Sequence, residues 1–218
     1  MELHLYNSYS REKECFKPIK DGYVGLYTCG PTVYDYAHIG NFRTFIFEDL
    51  LKRWLIHLGY NVKHIMNITD IDDKTIKKAN MERVDLKIIT NRYTSCFMED
   101  LNWLKMIPAD KFPRATDYID KMINMIQTLL DKNFAYKDND GSVYFDINSF
   151  QKYGCLTKLN IKGQKQTKRI NDDEYDKDSP QDFALWKGWK EEDGDIVWKA
   201  PWGKGRPGWH IECSAMSI

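Results

Sequence analysis

Tyr23-Val24-Gly25-Leu26-Tyr27-Thr28-Cys29 is a short, apolar, β-rich run and reads as a buried strand. A loop through Pro31 follows. From Asn41 onward, Phe42, Phe45, Ile46, Leu50, Trp54 and Leu58 recur at helical spacing until Gly59 supplies a stop. Val62 to Ile68 reads as a second strand, so residues 23 to 68 form a strand, helix, strand unit. Such units are normally parallel with a right-handed crossover. Their sites lie beyond the carboxyl ends of the strands, which is where Cys29, His38 and Thr69 are predicted to converge.

Working outward, Asp85 to Leu104 places Ile88, Ile89, Tyr93, Phe97, Leu101 and Leu104 on one helical face, closed by Pro108 and Pro113. Ala115 to Lys132 repeats the pattern with Ile119, Met122, Ile123, Ile126, Leu129 and Leu130. Both stripes read as core. Phe134 to Lys137 and Ser142 to Ile147, separated by Asp138-Asn139-Asp140-Gly141, read as a hairpin. Lys158 to Arg169 holds five basic residues and no acid, and Asp172 to Asp178 holds five acids and one Lys. Such segregation favours a solvated polar excursion over a specific RNA contact.

Composition bounds the class of protein. The chain has 218 residues, 42% hydrophobic and 29% charged, and no apolar run approaches a bilayer span, which needs roughly 20 residues. Its first residues, Met1-Glu2-Leu3-His4-Leu5, are neither a secretory signal nor an Arg-rich transit peptide, so no membrane partner and a cytoplasmic location are expected. The five cysteines, at 15, 29, 96, 155 and 213, show no close metal pairing and no compact disulfide pattern. Lys plus Arg equals Asp plus Glu at 32 each, so net charge gives no support for nucleic-acid binding and any RNA contact must be local.

Two distant segments carry most of the functional signal. One is Tyr27-Thr28-Cys29-Gly30-Pro31-Thr32-Val33-Tyr34-Asp35-Tyr36-Ala37-His38-Ile39-Gly40-Asn41, whose His-x-Gly-x element precedes a helix start where backbone amides can receive phosphate. The other is Gly205-Arg206-Pro207-Gly208-Trp209-His210-Ile211-Glu212-Cys213-Ser214-Ala215-Met216. Each contributes one cysteine. Asp70, Asp72 and Asp73 superficially suggest a magnesium cluster, but acids are favoured at a helix start and these are read as capping and charging the start of the next helix.

Together with Met66-Asn67-Ile68-Thr69-Asp70-Ile71-Asp72-Asp73-Lys74 and Asp182-Phe183-Ala184-Leu185-Trp186-Lys187, these form four ordered blocks that closely resemble the cysteinyl-tRNA synthetases, a class I aminoacyl-tRNA synthetase family. The resemblance implies an α/β fold. Its Rossmann-like, parallel-sheet catalytic domain would occupy residues 1–112 in its first part, with a connective insertion over 113–200 and the second catalytic half starting at 201–218. The implied enzyme is a cysteine–tRNA ligase, a monomer with L-cysteine, ATP and tRNA(Cys) as partners, one Zn²⁺ per chain and Mg²⁺ with the ATP.

Residue by residue, the resemblance implies that Cys29 and Cys213 bind zinc, and that His38, Gly40 and Asn41 hold ATP. His38 and Asn41 would be catalytic, stabilising charge on the transferring phosphate. Gly30, Thr32, Thr69 and Trp209 would line the substrate site. Asn41 departs from the family signature, which has a second His there; an amide donates a hydrogen bond but carries no proton charge. A zinc site with an open position takes the substrate thiolate and discriminates against serine, a harder donor, without editing.

The family's remaining zinc ligands, a His and a Glu, its lysine-rich phosphate loop and its tRNA-reading helices all follow the position of Cys213, and this chain ends five residues after it. His210 is only a weak geometric substitute. The chain is therefore expected to be C-terminally incomplete and inactive alone. Two rival readings are a cysteine:amino-sugar ligase of thiol biosynthesis on the same fold and a non-catalytic zinc- or RNA-binding fragment.

Overall fold

The computed structural model describes residues 2–156 and 182–218; the basic and acidic runs between 158 and 178 lie outside them. A hairpin of β1 (His4–Asn7) and β2 (Glu12–Cys15) leads into β3 (Tyr23–Thr28), α1 (Ile39–His57) and β4 (Asn61–Met66). β3 and β4 pair in parallel, Tyr23 with Asn61 through Thr28 with Met66. The predicted strand, helix, strand unit is present. Lys111 to Ala115 adds a third parallel run on β4's far side: Met66 N donates to Lys111 O (3.1 Å), Ile68 N to Pro113 O (2.8 Å) and Ala115 N to Ile68 O (3.1 Å).

α2 (Asp73–Glu82) and α3 (Leu86–Trp103) follow β4. Asp72 caps α2 by accepting from Lys74 N, and Asp85 caps α3 by accepting from Lys87 N, each satisfying a first-turn amide. Phe42, Phe45, Met66, Ile68, Ile89, Tyr93, Phe97 and Leu101 form one core cluster between α1, α3 and the end of β4. Part of the predicted stripes lies outside it. Ile46 and Leu50 on α1 are 44% and 61% exposed, and Ile88 and Leu104 on α3 are 51% and 47% exposed. Each helix buries only the narrow row facing its neighbour, which is less than the full width of the apolar pattern.

A short 3₁₀ turn, Ala115–Tyr118, leads into α4 (Ile119–Asp131). The predicted hairpin is β5 (Ala135–Lys137) with β6 (Val143–Phe145), joined by β7 (Phe183–Gly188), β8 (Trp198–Ala200) and β9 (Gly203–Pro207) in the antiparallel order β5-β6-β7-β9-β8. The position between 200 and 201 thus falls within the β8–β9 hairpin. α5 (Trp209–Met216) closes the second core: Met122 and Ile126 of α4, Val143, Leu185 and Trp186 of the sheet, and Ile211, Ala215 and Met216 of α5. Gly208, between β9 and α5, has no room for a side chain, because an added Cβ would lie 2.1 Å from the Ala184 carbonyl oxygen.

Candidate active site

The parallel pair directs two chain segments to the same edge. After β3 come Cys29 to Thr32, and after β4 come Asn67 to Asp72. They are laced together by backbone bonds, Val33 N to Thr69 O (3.1 Å) and Thr69 N to Pro31 O (3.1 Å), with Thr32 bridging Thr69. Gly30 sits where nothing larger fits: an added Cβ would lie 1.9 Å from the Asn67 carbonyl oxygen.

α5 brings Cys213 to this edge across 184 residues, so that its Sγ lies 3.7 Å from Cys29 Sγ. That distance is far beyond the ~2.05 Å of a disulfide. Two thiolates on one tetrahedral zinc, each at about 2.3 Å, stand about 3.8 Å apart. The pair therefore fits that metal. Partial burial, then the facing Cys213, pushes the Cys29 thiol up to about 11. The protein alone thus keeps this thiol protonated, and a bound cation reverses the direction, releasing protons as it binds. Among the described residues, no third His, Cys, Asp or Glu ligand atom groups with the two sulfurs. His210 turns elsewhere, its ring packing 4.7 Å from that of Phe183.

Beneath the sulfurs lies Asn67, 1% exposed. Its Oδ1 accepts from Tyr27 Oη (3.1 Å) and Gly30 N (3.3 Å), Cys213 Sγ approaches it at 3.9 Å, and its Nδ2 donates to Thr69 Oγ1 (3.3 Å). One side chain thus connects both strand ends, Thr69 and one thiol. Sequence reading gave Asn67 and Tyr27 no role. The signal was the single amide interrupting the otherwise apolar run from Ile65 to Ile68. Glu212, 2% exposed, faces the same region; burial, then Asp72's charge, pushes its carboxyl up to about 9.

His38 and Asn41 occupy the start of α1 as reciprocal caps. His38 Nδ1 accepts from Gly40 N (3.0 Å), and Asn41 Oδ1 accepts from His38 N (3.1 Å). An accepting Nδ1 places the proton of the neutral ring on Nε2. His38 is exposed, so that N–H, the Asn41 amide and the positive end of a helix with no acid in its first turn face outward. Trp209, 61% exposed, begins α5 one turn before Cys213 and so shares its face. Cys29, Gly30, Thr32, Thr69 and Cys213 are gathered at one edge. His38, Gly40 and Asn41 stand together at the head of α1.

The three acids after Thr69 diverge. Asp70 accepts from Thr116 N (2.9 Å) and Thr116 Oγ1 (2.6 Å), Asp72 caps α2, and Asp73 pairs with Lys187 (2.8 Å) and Arg206. Asp72 thus caps α2 and Asp73 adds its charge to the first turn, as helix-start acids do, while Asp70 instead pins the turn before α4.

Under the site, His64 Nε2 meets Thr28 Oγ1 at 2.9 Å while its Nδ1 has no hydrogen-bond partner among the described residues. Burial, then the charge of Lys52, pushes His64 down to about 4, from an ordinary value near 6.5. Between about pH 6.5 and about pH 4 the unfolded chain therefore binds a proton that the folded chain refuses, so this contribution to stability is complete above that window and declines as pH falls through it. His64→Gln should flatten the loss, measured as urea midpoints at about pH 7 and about pH 5.

Residues 15–218 match the family model described as tRNA synthetases class I (C) catalytic domain. The chain is 55% identical to a cysteine–tRNA ligase of Chlamydia muridarum across 100% of this chain and 46% of that protein, and equally to one of Chlamydia trachomatis serovar D. To a cysteine–tRNA ligase of Protochlamydia amoebophila it is 51% identical across 99% of this chain and 46% of that protein. It spans slightly less than half the length of these curated relatives. No described helix is long and apolar enough to cross a membrane.

Proposed function

Because the chain belongs to the class I tRNA synthetase (C) catalytic family, we propose that it supplies the cysteine-reading half of a cysteine–tRNA ligase, which joins cysteine to ATP as cysteinyl-adenylate and then charges tRNA(Cys). The observation that supports this most is the 3.7 Å approach of Cys29 and Cys213 at the carboxyl edge of a parallel pair. Zinc held there supplies a soft positive centre that takes a thiolate in preference to a hydroxyl. We read 1–112 as the first catalytic segment, 113–200 as the insertion and 201–218 as the return, with β9 carried on the insertion's sheet.

The chain's own side chains set the geometry. Asn67 fixes Gly30, Thr69 and the Cys213 sulfur relative to one another, so the thiol-reading point and the threonine beside it move as one body. Trp209 offers an apolar wall one helical turn from Cys213. At the head of α1 the His38 Nε2–H and the Asn41 amide are donors for the ATP phosphates, with Mg²⁺ accompanying the nucleotide. Both are held by their capping bonds, so little reorganisation is needed as charge develops.

The test is cysteine-dependent ATP–pyrophosphate exchange by the protein expressed from its complete reading frame. His38→Ala should lower exchange by about 10²–10³, the scale for losing one donor to a developing charge. Cys29→Ser and Cys213→Ser should each lose zinc and reduce exchange with cysteine. Retention of both zinc and exchange in Cys29→Ser would remove that residue from the site. Activated cysteine transferred to an amino sugar, with no charging of tRNA(Cys), would replace the synthetase reading.

A further inference from the structure

We propose that Glu2, His4 and Cys15 form a second divalent-metal site, of zinc-class selectivity, on the N-terminal hairpin and independent of Cys29 and Cys213. A carboxylate oxygen of Glu2, a ring nitrogen of His4 and the Cys15 sulfur all lie within 4.8 Å of one another. The register explains why. His4 is directly opposite Cys15 in the β1–β2 pair, and side chains of such cross-strand partners share a face. Glu2 precedes His4 by two residues, and the two-residue period of extended chain returns it to that face.

The donor set is one sulfur, one nitrogen and one oxygen. Thiolate and imidazole favour zinc over magnesium or calcium, which take oxygen ligands, and three protein ligands leave the fourth tetrahedral position to water. All three residues are exposed, so their side chains can draw in to about 2.0–2.3 Å from a common ion without repacking a core. The family match begins at residue 15, leaving Glu2 and His4 outside the region it describes.

The position gives the site a mechanical consequence. The pair His4–Cys15 closes the open end of the hairpin, opposite the turn where Arg11 takes a left-handed φ of 64°. A two-stranded hairpin is marginal by itself, and one ion joining the two strands at the end away from the turn ties them together.

Cobalt(II) is the probe, because a thiolate ligand gives it a charge-transfer band. In the Cys29→Ser/Cys213→Ser background the chain should bind one equivalent with such a band. Cys15→Ser should abolish the band, and His4→Ala or Glu2→Gln should weaken binding at least about tenfold, the lower end of what loss of even an outer-shell partner costs. In the otherwise intact chain, Cys15→Ser should remove one equivalent of thiolate-bound cobalt and leave the Cys29 and Cys213 sulfurs occupied, a readout that does not depend on the double variant folding. Zinc should also slow amide exchange across 4–7 and 12–15. Absence of the band in the background variant, or its persistence unchanged in Cys15→Ser, would overturn the site.

Discussion

Arg206→Met is expected to destabilise the protein by about 3–5 kcal/mol, the cost of removing one partner from a buried ion pair. Arg206, 6% exposed on β9, donates from Nε to Asp193 (2.9 Å) and from Nη2 to Asp73, which also takes Lys187 at 2.8 Å. Methionine would leave Asp193, 3% exposed, as a buried charge without its cation. Burial alone would raise the Asp73 carboxyl, but the charges of Arg206 and Lys187 outweigh it and hold it below the usual range. This cluster joins the five-stranded sheet to the first residue of α2, and α5 with Cys213 begins two residues after β9. The loss should therefore appear both in the urea midpoint and in metal affinity at Cys29 and Cys213. The double change Arg206→Met with Asp193→Leu should recover most of the stability, since apolar replacement of a whole buried pair is often neutral. No recovery would mean that Arg206 acts through packing instead of charge.

Gly30→Ala is expected to have the second-largest effect. Its Cβ would lie 1.9 Å from the Asn67 carbonyl oxygen and 3.0 Å from Met66 Cγ, and neither the strand-end backbone nor the buried Asn67 can yield without moving the other. Forcing a methyl into such a joint costs about 1–3 kcal/mol. The functional loss should exceed the loss in stability, because Asn67 also holds Tyr27, Thr69 and the Cys213 sulfur. Metal titration of Gly30→Ala should show weakened binding while far-ultraviolet circular dichroism stays native. Unchanged metal affinity would show that the two strand ends are not mechanically coupled.

The strand, helix, strand unit was legible because its signals are local. β3 is an apolar run, Phe42 and Phe45 keep helical spacing with the core, and Gly59 follows the α1 cap. The β5–β6 hairpin was legible for the same reason, since its turn residues lie between two short β-rich runs. What escaped reading depends on partners distant in sequence. Nothing adjacent to Asn67 shows that Tyr27, 40 residues away, and Cys213, 146 away, share its oxygen. Asp73 reads locally as a helix-start acid, yet its partners Lys187 and Arg206 arrive from the antiparallel sheet. Ile46 and Leu50 show the opposite failure, for periodicity reveals an apolar face without revealing how much of it a neighbour covers.

The candidate residues could be named from the sequence, but their arrangement could not. The cysteines were paired by their sequence blocks, and the fold brings their sulfurs to 3.7 Å. His38 and Asn41 were assigned as donors from their sequence block, which does not reveal that the two cap α1 reciprocally and remain exposed.

Cys29 and Cys213 are proposed to hold a metal that reads the thiol of the substrate. Cobalt(II) substitution tests this in the Cys15→Ser form of the protein expressed from its complete reading frame, which removes the hairpin sulfur, followed by titration with cysteine and with serine. Cysteine should intensify and shift the thiolate-to-cobalt band as a further sulfur reaches the metal, serine at the same concentration should leave it unchanged, and the response should vanish in Cys213→Ser. An identical response to both amino acids, or a cysteine response that survives in Cys213→Ser, would contradict it.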